Sequence, residues 1–266
     1  MAIHTIKNGT MEYLVAKGIA VPHAFTTRLG GVSSGYLAGL NLGMHRGDCP
    51  ENVTENYERL AKTMGFAPEK LVLTHQVHGD MVRVVTQQDC AGIDHRCYPE
   101  CDGLITNTPG VTLVVFTADC TPILLHDPVT GAVGAVHAGW RGTAYDIAGK
   151  AVRKMEEEFG CRPENIRAAI GPNIGVCCFQ TDGDVPKAMV ETFGAAAEPY
   201  ISAAENKFYV NLKAINELAL RRAGVANIEI STDCTMCNPE KYWSHRYTGG
   251  RRGSQGALIL CKGGLE

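Results

Sequence analysis

The segment VTLVVFTADCTPILLHDPVTGAVGAVHAGWRGTA, residues 111–144, decides the fold. Its centre, His126-Asp-Pro-Val-Thr-Gly131, has the composition of a turn between two apolar runs, which predicts an antiparallel hairpin. If His126 pairs with Gly131, Cys120 lies directly opposite His137, with Cβ atoms about 4.5–5.5 Å apart. A thiolate and an imidazole so placed can share a zinc ion at roughly 2.3 and 2.1 Å. Both residues also lie where an apolar strand gives way to a polar loop, as active-site residues often do.

Further strands and helices are predicted on both sides of this hairpin. Runs rich in Val, Ile and Leu between turn residues predict strands at 81–86, 111–117, 121–126, 132–137, 166–170, 227–231 and 257–260. Helical spacing predicts a helix at 52–64 and others that start at Asp184 and Asn211. A further helix is predicted to start at Thr143, with Thr143 and Asp146 as its capping box, and to end at Phe159. Because strict β-α-β alternation is absent, we expect a mixed α/β fold: one domain over residues 1–266, with a mixed β-sheet core flanked by helices.

Composition narrows the class of protein. The 266 residues are 45% hydrophobic and 20% charged, as in ordinary globular proteins. A net charge of −3 argues against a dedicated nucleic-acid binder. No apolar run has the 18 or more residues of a membrane span, and the N-terminal residues do not have the pattern of a signal peptide. Eleven cysteines, an odd number, are expected to be reduced thiols or metal ligands in a cytoplasmic protein.

A third metal ligand is expected from elsewhere in the chain, because catalytic zinc typically has three protein ligands and one open position. The run from Thr74 to Asp80 offers His75 and His78. Residues three apart on a strand point to opposite faces, so only one of the two is expected to reach the metal. The residues alone leave both open.

Three other groups of residues suggest weaker sites. Trp140-Arg141-Gly142-Thr143 leads into a helix and predicts an anion site, although a plain helix cap would use the same residues. Cys234 and Cys237 have the spacing of a zinc knuckle but no second such pair, and the adjacent Cys177 and Cys178 are expected to pack rather than share an ion. The basic tail contains His245, Arg246, Arg251 and Arg252, and it is either solvated surface or an anion contact.

Eight blocks of the sequence resemble a known family. They are FTTRLGGVSSG (25–35), LNLG (40–43), THQVHG (74–79), CDGLIT (101–106), FTADCTPILLHDP (116–128), VHAGWRGTA (136–144), IGPNIGVCCF (170–179) and YWSHR (242–246). The family is that of the laccase-domain or multicopper polyphenol oxidase-like proteins, now regarded as zinc-dependent purine nucleoside phosphorylases. The blocks span nearly the whole chain in order.

The resemblance implies a ligand set and an activity. The matching positions of the family's metal ligands are His78, Cys120 and His137, so the resemblance selects His78 over His75. It implies a cytosolic enzyme with a mixed α/β single-domain fold. That enzyme would cleave adenosine, inosine, guanosine and methylthioadenosine with phosphate to base and ribose 1-phosphate, and would also deaminate adenosine. The implied partners are nucleosides and phosphate. We expect no nucleic-acid or membrane partner, and we expect the protein to be a monomer or a small homo-oligomer.

On this hypothesis, zinc acts as a Lewis acid or template for the substrate. Asp119, beside Cys120, is expected to move protons or to orient a ligand. Phosphate is expected to bind to Arg28, Arg141, Gly142 and Thr143, with Arg141 also assigned a catalytic role. Asn41 and Gln76 are expected to contact the substrate.

Three alternatives remain open at this point. A His₂Cys set also suits copper, as in a phenol oxidase, but nine histidines are few for a multicopper cluster. Cys120 and His137 could instead be the nucleophile and base of a cysteine hydrolase. A non-catalytic protein stabilised by zinc is the third alternative.

Overall fold

A computed structural model describes residues 3–94 and 98–264 of the chain. The α-helices in this part are α1 (Pro50–Met64), α2 (Trp140–Ala144), α3 (Ile147–Phe159), α4 (Asp184–Phe193), α5 (Leu212–Arg222) and α6 (His245–Thr248). The first strands are β1 (His4–Asn8), β2 (Met11–Val15), β3 (His23–Thr26), β4 (Leu71–Leu73), β5 (Val82–Val84), β6 (Gly103–Thr106) and β7 (Thr112–Thr117). The others are β8 (Thr121–His126), β9 (Val133–Ala138), β10 (Arg167–Ile170), β11 (Gln180–Thr181), β12 (Ile201–Ala204), β13 (Lys207–Val210), β14 (Asn227–Ile230) and β15 (Gln255–Leu260).

Two six-stranded sheets form the centre of the molecule. The first has the order β1-β2-β3-β15-β7-β4 and the second β14-β10-β8-β9-β6-β5. Both are mixed, since β4 runs parallel to β7, and β5 and β14 run parallel to β6 and β10. A small sheet, β11-β13-β12, lies apart from them. The expected mixed α/β architecture is therefore confirmed, with two central sheets where one was predicted.

The hairpin strands β8 and β9 are buried on both faces. Leu124 belongs to the same buried cluster as Val115 of β7, a strand of the first sheet. Its neighbours Ile123 and Leu125 point the other way, into the core that α3 and α5 cover. Burial on both sides explains why these strands read as continuous apolar runs rather than as alternating ones.

The register of this hairpin differs from the prediction. His126 pairs with Val133, not Gly131, and His137 lies opposite Pro122, not Cys120. The turn is wider than expected because Asp127 accepts the N–H of Gly131 at 2.8 Å and donates its own N–H to Ala132 at 2.9 Å. The predicted direct opposition is wrong by two residues. A shift of two preserves which face each side chain occupies, so Cys120 stays on the face of His137.

The predicted helices are found, with one correction at a helix start. Helix α1 ends at Gly65 in the left-handed conformation (φ 74), and the Asn211 side chain caps α5 by accepting the N–H of Ala214 at 3.2 Å. The predicted capping box of Thr143 and Asp146 is wrong. Thr143 belongs to α2, and its hydroxyl accepts a hydrogen bond from Asn216 at 2.9 Å. Helix α3 instead begins after Asp146.

All seven predicted strands are present within one or two residues of their predicted ends. The strands β1–β4, β6 and β11–β13 were not predicted, because they are short or carry polar residues on an exposed edge. None of the helices in the described ranges is long and apolar enough to cross a bilayer. That one domain spans residues 1–266 stays a prediction.

Candidate functional site

Three loops and strand ends bring the predicted metal ligands together. His137 lies on β9, Cys120 precedes β8, and His78 follows β4. Their candidate ligand atoms all lie within 4.8 Å of one another, and Cys120 Sγ is 3.9 Å from His78 Nε2. The two imidazole rings meet edge to face at 5.0 Å between centroids. His137 is buried, Cys120 half-buried and His78 exposed, so the cluster opens to the surface on one side.

A buried carboxylate that the sequence analysis missed orients two of these ligands. Asp102 is fully buried, and its Oδ1 lies 2.7 Å from His137 Nδ1, which leaves Nε2 of that ring for another partner. The same carboxylate accepts the backbone N–H groups of Val77, His78 and Gly79 at 2.8–3.1 Å. One side chain therefore fixes both a histidine ring and the loop that carries the other histidine. Carboxylate–histidine pairs of this kind are typical behind metal ligands.

The backbone around the triad has an unusual conformation. His78 (φ 61) and Asp119 (φ 90) both adopt positive φ, which is rare for residues other than glycine and is common at functional sites. Gly139 lies beneath the cluster, where a Cβ would stand 3.0 Å from His78 Cδ2 and 3.4 Å from Cys120 Sγ. A side chain at residue 139 would therefore push the ligands apart.

Neighbouring groups favour the charged forms of Cys120, His137 and Asp102. Burial opposes ionisation of the Cys120 thiol, but His137 and His78 prevail and lower its pKa. Burial likewise opposes protonation of His137, but Cys120 and Asp102 raise its pKa. The pKa of Asp102 is lowered, despite its burial, by the hydrogen bonds from His137 and the backbone. The site thus favours a thiolate at Cys120, which is the form that binds metals.

A cavity of about 370 Å³ opens beside the triad. His78 and Cys120 form part of its wall. Its basic lining residues are Arg46, His245, Arg246 and Arg252, and its apolar ones are Ala118, Ile174 and Phe179. Candidate metal-ligand side chains, basic groups and an apolar wall therefore share one concave space, which is the usual setting for a small-molecule site.

Arg252 is a basic lining residue that keeps one unused hydrogen-bond donor. Its Nε is buried and has no hydrogen-bond partner among the described residues, while Nη1 donates to Ser254 Oγ at 2.9 Å. Burial and the nearby Arg46 lower the pKa of Arg252 to about 10. Crowded cations with an unused donor are a suitable setting for a bound anion.

Asp119 also lines the cavity, but both its carboxylate oxygens have protein donors. Oδ1 accepts the hydroxyl of Thr235 at 2.6 Å, and Oδ2 accepts the backbone N–H of Arg246 at 2.7 Å. Its main-chain carbonyl accepts the N–H of Ile174 at 2.9 Å. Asp119 thus joins three loops that form the cavity wall, and its expected role in moving protons stays a prediction.

The residues predicted to bind phosphate are not among the described residues that line this cavity. Arg141 is exposed and stacks on Trp140 at 4.2 Å, and it is not among the described residues that line the cavity. Gly142 and Thr143 are buried, and the Thr143 N–H is bonded within the turn to Gly139. Arg28 stacks on Trp243 at 3.9 Å and donates to the carbonyl of Pro239 at 2.8 Å.

Asn41 and Gln76, predicted to contact the substrate, hold loops in place. Asn41 is fully buried, and its amide bonds to Gly43, Asp48 and Ser254. Gln76 clamps the His78 loop onto β7 through both the N–H and the carbonyl of Phe116, at 2.6 and 2.8 Å. Full burial leaves the Asn41 side chain no exposed surface for direct contact with a substrate. Gln76 lines a smaller neighbouring cavity of about 190 Å³ that shares Arg46.

The donor set of the triad fits a tetrahedral metal ion. Two imidazoles and one thiolate around an ion at about 2.1 and 2.3 Å would place sulfur and nitrogen roughly 3.6 Å apart, close to the 3.9 Å between Cys120 Sγ and His78 Nε2. Asp102 supplies the outer hydrogen bond that such sites commonly have. The fourth position would face the cavity that His78 and Cys120 line.

Comparison with known proteins identifies a family and several relatives of this chain. A sequence model of the family described as multi-copper polyphenol oxidoreductase laccase matches residues 22–262. A relative from Deinococcus radiodurans named purine nucleoside phosphorylase is 41% identical over 250 residues, covering 94% of this chain and 92% of the relative. Another from Geobacillus stearothermophilus, named purine nucleoside phosphorylase YlmD, is 38% identical over 240 residues, covering 88% of each. The crystal structure of YlmD from Geobacillus stearothermophilus matches with a TM-score of 0.92 at 35% identity, over 97% of this chain and 98% of that one.

Proposed function

Because the chain belongs to the multi-copper polyphenol oxidoreductase laccase family, and its relatives are named purine nucleoside phosphorylases, we propose that it cleaves purine nucleosides with phosphate at a zinc site. The substrates would be adenosine, inosine, guanosine and methylthioadenosine, with deamination of adenosine as a second activity. The observation that carries the proposal is the convergence of the metal-ligand triad and four basic side chains on one cavity.

The metal would be held by His78, Cys120 and His137, with Asp102 orienting the histidines. Two nitrogens and one thiolate with an open fourth position suit catalytic zinc. When bound, zinc supplies Lewis acidity and a water of lowered pKa, the chemistry that phosphorolysis and deamination would draw on.

Phosphate binding is assigned to the basic residues that line the cavity. Arg252, whose buried Nε has no hydrogen-bond partner among the described residues, lines the cavity together with Arg46 and His245. Arg246 contributes less, because its Nη1 already donates to the carbonyl of Gln180 at 3.1 Å. These residues take the phosphate-binding role that was expected of Arg141 and the start of α2, since neither is among the described residues that line the cavity.

The nucleoside would lie between these side chains and the apolar wall. Phe179 and Ile174 are nearly fully buried and present a surface on which a purine ring can pack. In phosphorolysis, an oxygen of hydrogen phosphate bonds to ribose C1′ as the bond from C1′ to the purine nitrogen breaks. The base leaves with the electron pair and takes up the proton that the phosphate loses. The chain's contribution is to bind phosphate and nucleoside in line and to exclude water from C1′.

Product analysis tests the proposal directly. The protein is incubated with adenosine or inosine, with and without phosphate, and the products are separated by chromatography. We expect free base and ribose 1-phosphate only when phosphate is present. Base with free ribose in the absence of phosphate would show a hydrolase, and a protein that converts adenosine to inosine but releases no base from either nucleoside when phosphate is present would be a deaminase alone. Either result contradicts phosphorolysis.

Substitution of Arg252 tests the phosphate site. We expect Arg252→Ala to raise the KM for phosphate roughly tenfold, because one charge-assisted hydrogen bond contributes about 1.5 kcal/mol. The KM for the nucleoside should change little. The matched control is Arg251→Ala, whose guanidinium stacks on Tyr36 at 4.5 Å. If the two substitutions changed the KM for phosphate equally, Arg252 would not be a phosphate-binding residue.

The alternatives are separated by metal analysis. A copper phenol oxidase would contain copper and consume oxygen with a phenol, and a cysteine hydrolase would keep its activity in chelator. A non-catalytic zinc protein would lose stability without metal and would turn over no nucleoside. The cytoplasmic location and the monomeric or small oligomeric state stay predictions.

A further inference from the structure

A second cluster of sulfur atoms lies outside the triad. The Sγ atoms of Cys177, Cys178, Cys234 and Cys237 all lie within 4.8 Å of one another. The cysteines that the structure describes are all free thiols, so this cluster contains no disulfide. The expectation that Cys177 is a packing residue is wrong, because it is exposed.

A tight turn brings the adjacent cysteines to the same side. The carbonyl of Gly175 accepts the N–H groups of Cys178 at 3.0 Å and Phe179 at 2.9 Å, which closes a helical turn. In such a turn, successive side chains differ in direction by about 100° rather than the 180° of a strand. Cys177 and Cys178 can therefore approach one point, and their sulfurs lie 3.6 and 3.4 Å from Cys237 Sγ.

Backbone contacts hold the second pair against this turn. Asn173 pairs with Cys234 in a parallel bridge, and the carbonyl of Asn173 accepts the N–H of Thr235 at 2.9 Å. The N–H of Gly175 donates to Cys234 Sγ at 3.1 Å. A Cβ at Gly175 would stand 3.1 Å from Cys177 Sγ and 3.4 Å from Cys234 Sγ, so the close approach of the two segments requires glycine there.

The distances between the sulfurs match a shared ion better than a bond. A disulfide requires about 2.05 Å between sulfurs, whereas four thiolates around zinc at about 2.3 Å lie roughly 3.8 Å apart. The contacts of Cys237 with Cys177 and Cys178, at 3.6 and 3.4 Å, are near the second value. A backbone N–H donated to sulfur, as from Gly175 to Cys234, also favours the thiolate over the thiol.

We propose that Cys177, Cys178, Cys234 and Cys237 bind a structural zinc ion, separate from the ion at the triad. Four thiolates in a closed tetrahedral set are a typical structural zinc site, and soft sulfur donors select zinc over harder cations. The Cys234-x-x-Cys237 spacing supplies one half of the set, and the Gly175 turn supplies the other half from a distant part of the chain.

The ion would stabilise one wall of the cavity. Thr235 lies between the two cysteines of the second pair and donates to Asp119, which directly precedes Cys120. Ile174 and Phe179 flank the first pair and line the cavity itself. By linking the two segments, the structural zinc would hold the apolar wall and the Asp119 loop in place beside the triad.

Zinc counting in a chain without the triad tests this site. Cys120→Ala removes a triad ligand, and the variant is purified under reducing conditions, incubated with zinc and dialysed against a weak chelator. We expect one zinc ion per chain, measured by inductively coupled plasma mass spectrometry. Adding Cys237→Ser or Cys177→Ser, both at exposed positions, should remove that zinc, whereas the exposed control Cys49→Ser should leave it in place.

Cobalt provides an independent readout of the ligands. In the Cys120→Ala background, bound cobalt should show strong thiolate-to-metal charge-transfer absorption and tetrahedral visible bands, which Cys237→Ser should abolish. Absence of zinc from the reduced Cys120→Ala chain, or zinc that survives Cys237→Ser and Cys177→Ser, would overturn the proposal. A disulfide within the cluster with no metal uptake after reduction would overturn it as well. None of these outcomes depends on whether the protein is a phosphorylase.

Discussion

Replacing Cys120 by alanine should lower kcat/KM for nucleoside phosphorolysis by about 10³-fold or more. Cys120 supplies the one thiolate of the triad, and the remaining His78 and His137 would hold zinc weakly. Loss of a Lewis acid removes several kcal/mol of transition-state stabilisation, and each 1.36 kcal/mol is a factor of ten in rate. The measurements are steady-state kinetics with inosine and phosphate, and the zinc content of the same preparation.

The control for this substitution is Cys161→Ala. Cys161 is a buried thiol that contacts Thr130 Oγ1 at 3.2 Å, outside both sulfur-containing clusters. We expect it to lower stability while zinc content and kcat stay near wild type. Full activity of Cys120→Ala would contradict the metal site. If Cys120→Ser were inactive while the wild-type protein kept its activity in the presence of a chelator, the result would support a cysteine hydrolase instead.

The second large effect is expected from Asp102→Asn. Asp102 accepts hydrogen bonds from His137 and from three backbone N–H groups of the His78 loop. An amide there would turn a donor toward groups that are themselves donors. We expect zinc affinity to fall by roughly 10- to 100-fold. We also expect the free energy of unfolding to fall by about 3–5 kcal/mol, as when a buried pair is broken.

Zinc competition with a coloured chelator measures the affinity, and urea unfolding measures the stability. Asp127→Asn is the matched control, because Asp127 is equally buried but lies at the opposite end of β8, in the hairpin turn. Its substitution should leave zinc affinity unchanged. Equal loss of affinity in the two variants would show that Asp102 acts only through stability.

The hairpin shows what local sequence patterns can predict. The apolar runs fixed the positions of β8 and β9, but the turn between them is wider than its composition suggested, since Asp127 bonds to both Gly131 and Ala132. The error in register was two residues. Because side chains alternate with a period of two, Cys120 and His137 stayed on one face, and the inference of a shared site survived the wrong pairing.

Other parts of the site depend on contacts between distant segments. Asp102 reaches His137 because β6 pairs with β9, and no local pattern specifies that pairing. Cys177 and Cys178 meet Cys237 only after two loops about 60 residues apart in sequence come together. Arg46 and Arg252 converge on one cavity from opposite halves of the chain. Spacing rules describe single helices and strands, so contacts between these distant residues could not be predicted from them.

The family resemblance supplied what spacing could not at one position. His75 and His78 are equivalent in the local argument, and the family pattern selected His78, which the structure places beside Cys120. For phosphate, helix-start reasoning favoured Arg141. The structure instead places the basic tail, with His245 and Arg252, at the cavity.

The most direct test of a phosphorolytic zinc site is to trace the oxygen atoms of phosphate into the sugar product. The protein is incubated with inosine and with phosphate whose oxygens are all oxygen-18, and the sugar product is analysed by mass spectrometry. We predict ribose 1-phosphate that retains every labelled oxygen, formed by the wild type and not by Cys120→Ala. Free ribose whose C1′ oxygen comes from water, with no labelled phosphate consumed, would contradict the proposed function.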